Sequence, residues 1–405
     1  MTTQLQIERR GAVVELLKLS GPTIAQMASY TVLQFIDTKM LAAVGDLEAT
    51  AAGNAGGIAF AFISFGLGTM LIVNTLVSQS FGKGDHAACG RYVWQGIWLS
   101  LLLSAIVMPV VAMGRPIFAW MGHEPRLASE EAAFFSICLS FCAVKLVSVV
   151  LGQYLIAINR PNCVMIAAFA CLVSCVCSNW LLIYGNWGFP KLGVTGAAWS
   201  TNIALCVETG ILAAFVFSKR ISGRYNVLDW RPRRAMMRTL IKVGIPSGAQ
   251  IAAEVTAWSL FMNWVIGQFG TVAMSANNYM FRYMLVSFMP AVGIGSAVTA
   301  LVGRYIGAGR ADLAIHRAHV GFALAGAYML ACGAFFVMFR YALIGAFTTD
   351  PAVIELGAAL LICAAVYQLF DAMYLVYNSA LRGAGDTFVP AIVLGLLVWT
   401  IMLGG

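Results

Sequence analysis

A chain of 405 residues that is 60% hydrophobic and only 10% charged, with a mean hydropathy of +0.84, is not a soluble globular protein. A membrane span needs about 20 largely apolar residues, so the length allows many crossings. The net charge of +8 would suit a nucleic-acid binder only if it formed one basic surface.

In chain order, apolar runs at 13–43, 51–80, 92–121, 132–157, 162–185 and 193–218 predict six spans in the first half. Runs at 241–266, 273–302, 320–347 and 354–381 predict four more, and an eleventh begins at Val389. The expectation is an all-α membrane protein whose second half is cut short within its eleventh helix. Residues 1–12 are polar and the next apolar segment is long enough to span, so no cleavable leader is read.

Threading from a cytoplasmic N-terminus leaves Arg115, Arg126, Lys191 and Arg340 outside and Lys39, Lys145 and Arg282 within the membrane. The remaining Lys and Arg fall on the cytoplasmic side, the bias of a multi-pass protein. The densest stretch, Lys219 to Lys242, is read as a cytoplasmic linker touching anionic lipid, not as a nucleic-acid site. Cysteines lie mostly in apolar spans, where they behave as small hydrophobes. The histidines His86, His123, His316 and His319 sit in loops or at helix ends, so no metal pattern appears and no cofactor is expected. Neither ATP hydrolysis nor intramembrane hydrolysis is indicated: GKGD at 82–85 lacks a phosphate-loop spacing, and no HExxH occurs.

The two halves are related. LKLSGPTIAQMA at 17–28 reappears as IKVGIPSGAQIA at 241–252, which sets Pro22 over Pro246 and Gln26 over Gln250. LVSQSFGKGD at 76–85 returns as LVGRYIGAGR at 301–310. Two related membrane halves around one cavity suit a transporter that alternates access between the two sides. The expected division is a first bundle at 1–220, a basic linker at 221–240 and a second bundle at 241–405. Pro22 and Pro246 are read as sitting in the first turns of their spans, marking a shared bend.

The acids break the repeat. Glu254 falls over Tyr30, Asp37 opposite Phe261, and Asp371 near Ser148. A charge there costs roughly 2.5–3.5 kcal/mol on insertion scales, so each acid needs a partner, a proton or a cation. Asp37, Glu254 and Asp371 are read as working residues, whereas Glu208 is read as half of a packing ion pair with Lys145 or Arg282.

At these residues the chain resembles the multidrug and toxic compound extrusion (MATE) family, most closely its NorM-type branch. The likeness runs from about residue 13 onward through QFIDTKM (34–40), LVSQSFGKGD, GVTGAAWST (193–201), GIPSGAQIAAE (244–254), VGIGSAVTALVGRYIGAG (292–309) and LFDAMYLVYNSALRGAGDTFVP (369–390). It implies two pseudo-symmetric six-helix bundles, and export of amphipathic organic cations coupled to Na⁺ or H⁺ entry across a plasma or inner membrane by a monomer that is not an enzyme. It also implies that Glu254 and Asp371, with Tyr367, hold the coupling ion in the second bundle, Na⁺ being one candidate. Asp37, Asn179 and Thr201 would form the polar site of the first.

Two departures stand out. Cys175 replaces a family Asn one turn before Asn179, which removes a hard oxygen ligand. Asn278 replaces a family Gln, with Arg282 one turn further on, and both are candidate modulators. The alternative reading is a flippase of the same superfamily that moves a lipid-linked oligosaccharide, kept open by Lys39, Lys145 and Arg282.

Overall fold

The computed structural model describes residues 11–261 and 265–402, and all the described regular structure is helical. Residues 1–10, read as polar, and 262–264, inside the seventh expected span, lie outside the described residues. The first half holds α1 (Ala12–Ala42), α2 (Asp46–Met70), α3 (Ile72–Gly82), α4 (His86–Val111), α5 (Gly114–Trp120), α6 (Pro125–Ser140), α7 (Cys142–Ala157), α8 (Pro161–Leu182) and α9 (Val194–Val216). After a short α10 (Lys219–Tyr225) come α11 (Arg234–Leu260), α12 (Gly270–Gly307), α13 (Ala311–Gly345), α14 (Pro351–Ala384) and α15 (Phe388–Leu397).

Local chemistry sets several of the helix ends. Asp85 caps α4 by accepting from the Ala88 amide, and Asp350 caps α14 by accepting from Ala352, with Pro351 at the first position. The two echoes of one motif end their helices alike, at Gly84 (φ +77°) and Gly309 (φ +72°). Pro22 and Pro246 differ from expectation: both lie well inside their helices, since α1 begins at Ala12 and α11 at Arg234, ahead of its apolar run at 241. Each removes one main-chain N–H at an equivalent interior point.

Among the described residues, seven helices are long and apolar enough to cross a membrane, α2 and α3 counting as one stretch, and α6 with α7, bent by 46°, makes an eighth. The repeat-related α1 and α11 are not among them. Their uncharged polar residues explain this: the stretch 19–36 of α1 is free of charge but holds Ser20, Thr23, Gln26, Ser29, Thr31 and Gln34, and 243–260 of α11 holds Ser247, Gln250, Thr256 and Ser259 beside Glu254.

The halves meet at the end where α1 and α11 begin. One buried apolar cluster runs from Leu16, Val73 and Leu151 in the first half to Val298, Leu301 and Val376 in the second. Thr23 donates to the Gly293 carbonyl (2.8 Å), Thr75 to that of Arg382 (2.8 Å) and Gln79 to that of Gly383 (3.0 Å). The contact is two-fold in character. A Cβ on Gly82 would stand 1.9 Å from the Arg304 carbonyl oxygen, and one on Gly307 would stand 2.1 Å from that of Gln79. Gly82 and Gly307 are partners in the repeat, as are Gln79 and Arg304, and no side chain fits at either glycine without separating α3 from α12. Ser78 meets its own counterpart, Gly303, at the pseudo-axis.

A charged cluster ties the same end. Glu15 of α1 receives Arg317 of α13 (2.9 Å) and Arg304 of α12 (3.4 Å), with the Tyr305 hydroxyl at 2.9 Å. Arg317 is only 3% exposed, so this is a largely desolvated pair.

The basic stretch is not a loose tether. Trp94 and Trp98 of α4 donate to the carbonyls of Val227 (2.6 Å) and Trp230 (3.0 Å), and Gln95 bridges the Arg231 carbonyl and the Arg233 amide. Asp229 pairs with Arg233 (2.8 Å) and Arg91 (3.1 Å), and the Arg233 hydrogen bond above all holds its carboxyl below the usual range. A lowered folded value means this pairing is fully present above the ordinary Asp pKa of about 3.9 and is lost only as pH falls through the lowered one. Asp229→Asn is therefore expected to speed tryptic cleavage after Arg233 and Arg234 several-fold at pH 7. In the unmodified protein the cleavage rate relative to a peptide standard should stay flat between pH 6 and 8.

Candidate functional site

In the first half, α1, α8 and α9 bring polar side chains together inside apolar surroundings. Asn179 Nδ2 donates to Asp37 Oδ1, and the Cys175 thiol reaches the same oxygen at 3.6 Å. Asn179 is 0% exposed, and its Oδ1 has no hydrogen-bond partner. Thr201 faces Cys175, not the carboxylate, and spends its hydroxyl on the Ala197 carbonyl (3.0 Å). Of the three residues expected here, Asp37 and Asn179 touch, and Thr201 stands one side chain away.

In the second half, Glu254 of α11 accepts from the Tyr374 hydroxyl (2.6 Å) and from Gln250 Nε2 (3.1 Å), and Gln250 also reaches Tyr374 (3.1 Å). Asp371, three residues before Tyr374 on α14, is 7% exposed and within electrostatic reach of Glu254. No hydrogen bond to its carboxylate is found among the described residues. Tyr367, one turn earlier, is 44% exposed and stands near both acids without bonding to either. Two carboxylates sharing one poorly hydrated pocket repel each other unless a proton or a cation lies between them.

Asn278 and Arg282 lie on exposed positions of α12, and neither is bonded to Glu254 or Asp371 among the described contacts. Lys39 is exposed in the last turn of α1. The ion pair expected for Glu208 is absent: its carboxylate accepts from the Tyr30 hydroxyl, while Lys145 stands over the Tyr30 ring at 5.8 Å. A phenol from α1 reaches the acid before either base does. Among the described residues no group of three or more His, Cys, Asp or Glu could hold a metal ion.

Sequence reasoning missed Tyr374, Gln250 and Tyr30. Gln250 carried a usable signal, since it recurs over Gln26, and both glutamines turn out to hold the residue one turn on. Tyr374 carried a weaker one, its i+3 spacing from Asp371, which shares a helix face.

A profile of the MatE family matches residues 22–181 and 249–404. The multidrug resistance protein PmpM of Pseudomonas aeruginosa is 30% identical over 403 residues, covering 97% of this chain and 83% of PmpM. A probable multidrug resistance protein NorM of Pseudomonas syringae pv. tomato is 31% identical over 388 residues, covering 92% and 82%. In fold, the chain matches a crystal structure of MATE in complex with MaD3S with a TM-score of 0.88 at 18% identity, over 97% of this chain and 87% of that one. It matches the outward-facing conformation of a multidrug resistance MATE family transporter of the MOP superfamily with a TM-score of 0.86 at 19% identity, over 96% and 86%.

Proposed function

Because the chain belongs to the MatE family, we propose that it exports amphipathic organic cations by antiport against Na⁺ or H⁺. One observation carries this reading. Asp37, Glu254 and Asp371 lie in apolar surroundings, yet among the described residues none has a Lys or Arg nitrogen within ion-pair distance. Their hydrogen-bond contacts are amides, a phenol and a thiol, and Arg382 acts on Glu254 only from beyond ion-pair distance. Such an acid is completed by a mobile positive charge, and a coupling ion and a cationic substrate compete for it. That competition is the coupling.

The first bundle (1–220) and the second (241–405), joined by the 221–240 segment, rock about the seam at Gly82 and Gly307. With that seam closed, the acids face the opposite side. There a proton or Na⁺ binds between Glu254 and Asp371 and displaces the exported cation, with Tyr374 and Gln250 orienting Glu254. The Asp37 amide partner can serve both states. Nδ2 donates to the charged carboxylate, and after a flip the open Oδ1 accepts from the protonated one.

In this reading the seam faces the cytoplasm, the protein is a monomer of the plasma or inner membrane, and the basic segment meets lipid headgroups. The bases give less support to a flippase: Lys145 is turned onto Tyr30, and Lys39 sits at a helix end, so they form no phosphate-binding cluster. The test is ethidium efflux from vesicles containing the purified protein, first under an imposed Na⁺ gradient and then under a pH gradient. One of the two gradients should drive efflux, and efflux under neither would overturn the reading.

A further inference from the structure

The polar residues of the first half form two rungs. Tyr30 and Asp37 are seven apart on α1, and Thr201 and Glu208 are seven apart on α9, each pair about 10 Å along its helix. The α8 residues Cys171 and Cys175 are one turn apart. One rung is Asp37 with Asn179, Cys175 and, behind it, Thr201. The other is Glu208 with Tyr30 and Gln26, and with Cys171 against the carboxylate. The second rung lies two turns closer to the closed seam.

Glu208 is 2% exposed, and among the described residues no ion pair cancels it. Its hydrogen bonds run in one direction: Gln26 Nε2 donates to the Tyr30 oxygen (3.2 Å), and the Tyr30 hydroxyl donates to Glu208. Gln26 is itself buried, and its Oε1 has no hydrogen-bond partner. That open acceptor has no role if Glu208 stays charged, and leaving a buried polar atom unpaired is unfavourable. It gains a role if the chain can reverse. With a proton on Glu208, the carboxyl O–H donates to the Tyr30 oxygen. The Tyr30 O–H then turns to the Gln26 oxygen, which an amide flip presents. In either direction the Tyr30 hydroxyl both donates and accepts, while one Gln26 amide atom bonds it and the other stays open.

We infer that Glu208 is a second proton-binding acid of the first half, its proton held through the reversible Glu208–Tyr30–Gln26 chain. The inference rests on the antiport reading above. The occupant is a proton and not Na⁺, because the other groups facing the acid suit a metal poorly. They are the Tyr30 phenol from α1, the Cys171 thiol from α8 and the Lys145 ammonium from α7, standing over the Tyr30 ring. A thiol is a soft ligand, and a neighbouring ammonium repels a second cation.

The experiment adds tetraphenylphosphonium to the purified, weakly buffered protein and counts protons released with a pH indicator. Glu208→Gln should lower the count by about one proton per protein relative to the unmodified chain, as should Asp37→Asn. Tyr30→Phe keeps the acid but cuts the chain, and should displace the pH midpoint of release. An unchanged count in Glu208→Gln beside a lowered count in Asp37→Asn would overturn this inference alone. Unchanged counts in both would overturn it together with proton antiport through this half. Full recovery of transport in Glu208→Gln/Lys145→Met would show that the acid only balances Lys145. If Glu208→Gln does not fold, an unshifted midpoint in Tyr30→Phe overturns the inference equally.

Discussion

Glu254→Gln and Asp371→Asn are each expected to bring gradient-driven ethidium efflux down to the level of empty vesicles, with no loss of protein in the membrane. Both replacements keep the shape of the side chain and remove its charge, so the insertion cost of about 2.5–3.5 kcal/mol for an acid at mid-membrane is relieved, not increased. Folding therefore gives no reason for transport to fail. Coupling does. Glu254 is held by Tyr374 at 2.6 Å and Gln250 at 3.1 Å, both of which can hydrogen-bond an amide, so the site keeps its outline while losing its affinity for a positive ion. Asp371 has no such scaffold among the described residues, so Asp371→Asn should leave the packing of α14 untouched. The check is efflux against abundance in the same vesicles. Wild-type efflux in both variants would remove the second-half acids from the mechanism.

Removing the carboxylate at the seam should move the whole molecule. Glu15→Gln takes the counter-charge from Arg317 and Arg304. Breaking a buried pair costs about 3–5 kcal/mol, and partial exposure of Glu15 reduces this to about 2 kcal/mol. That loss falls only on the conformation in which the seam is closed, and so shifts the equilibrium about 30-fold toward its opening. Spin labels carried by non-natural residues at Lys83 and Ala311, exposed positions on opposite sides of the seam, should then report a longer distance. Gly307→Leu reaches the same end by steric force and should lengthen the distance without touching a charge. Unaltered distances in both variants would show that this seam is not the moving gate.

The sequence made the repeat, the all-helical class and the unusual acids readable, because each is written in local pattern: apolar runs, a shift of 224 or 225, and charges where none belongs. What it hid was contact across helices. The pairing of Glu208 with Lys145 or Arg282 was inferred from charge alone. The hydroxyl of Tyr30 comes from α1, a distant segment, and nothing in the spacing of residues 30 and 208 announces it. Tyr374 was overlooked for the opposite reason: it lies in the same helix as Asp371, but only the approach of α11 gives it Glu254 to bind. The early start of α11, which puts Pro246 inside the helix, was hidden because the added turns carry charge and read as linker.

The seam at Gly82 and Gly307 closes main chain against main chain, away from the acids. If this seam is the gate of the proposed cycle, its tightness depends on the polypeptide backbone and not on the cargo. A transporter that accepts molecules of many shapes can thus remain leak-proof to ions with each of them, because recognition and sealing are performed by separate parts of the molecule.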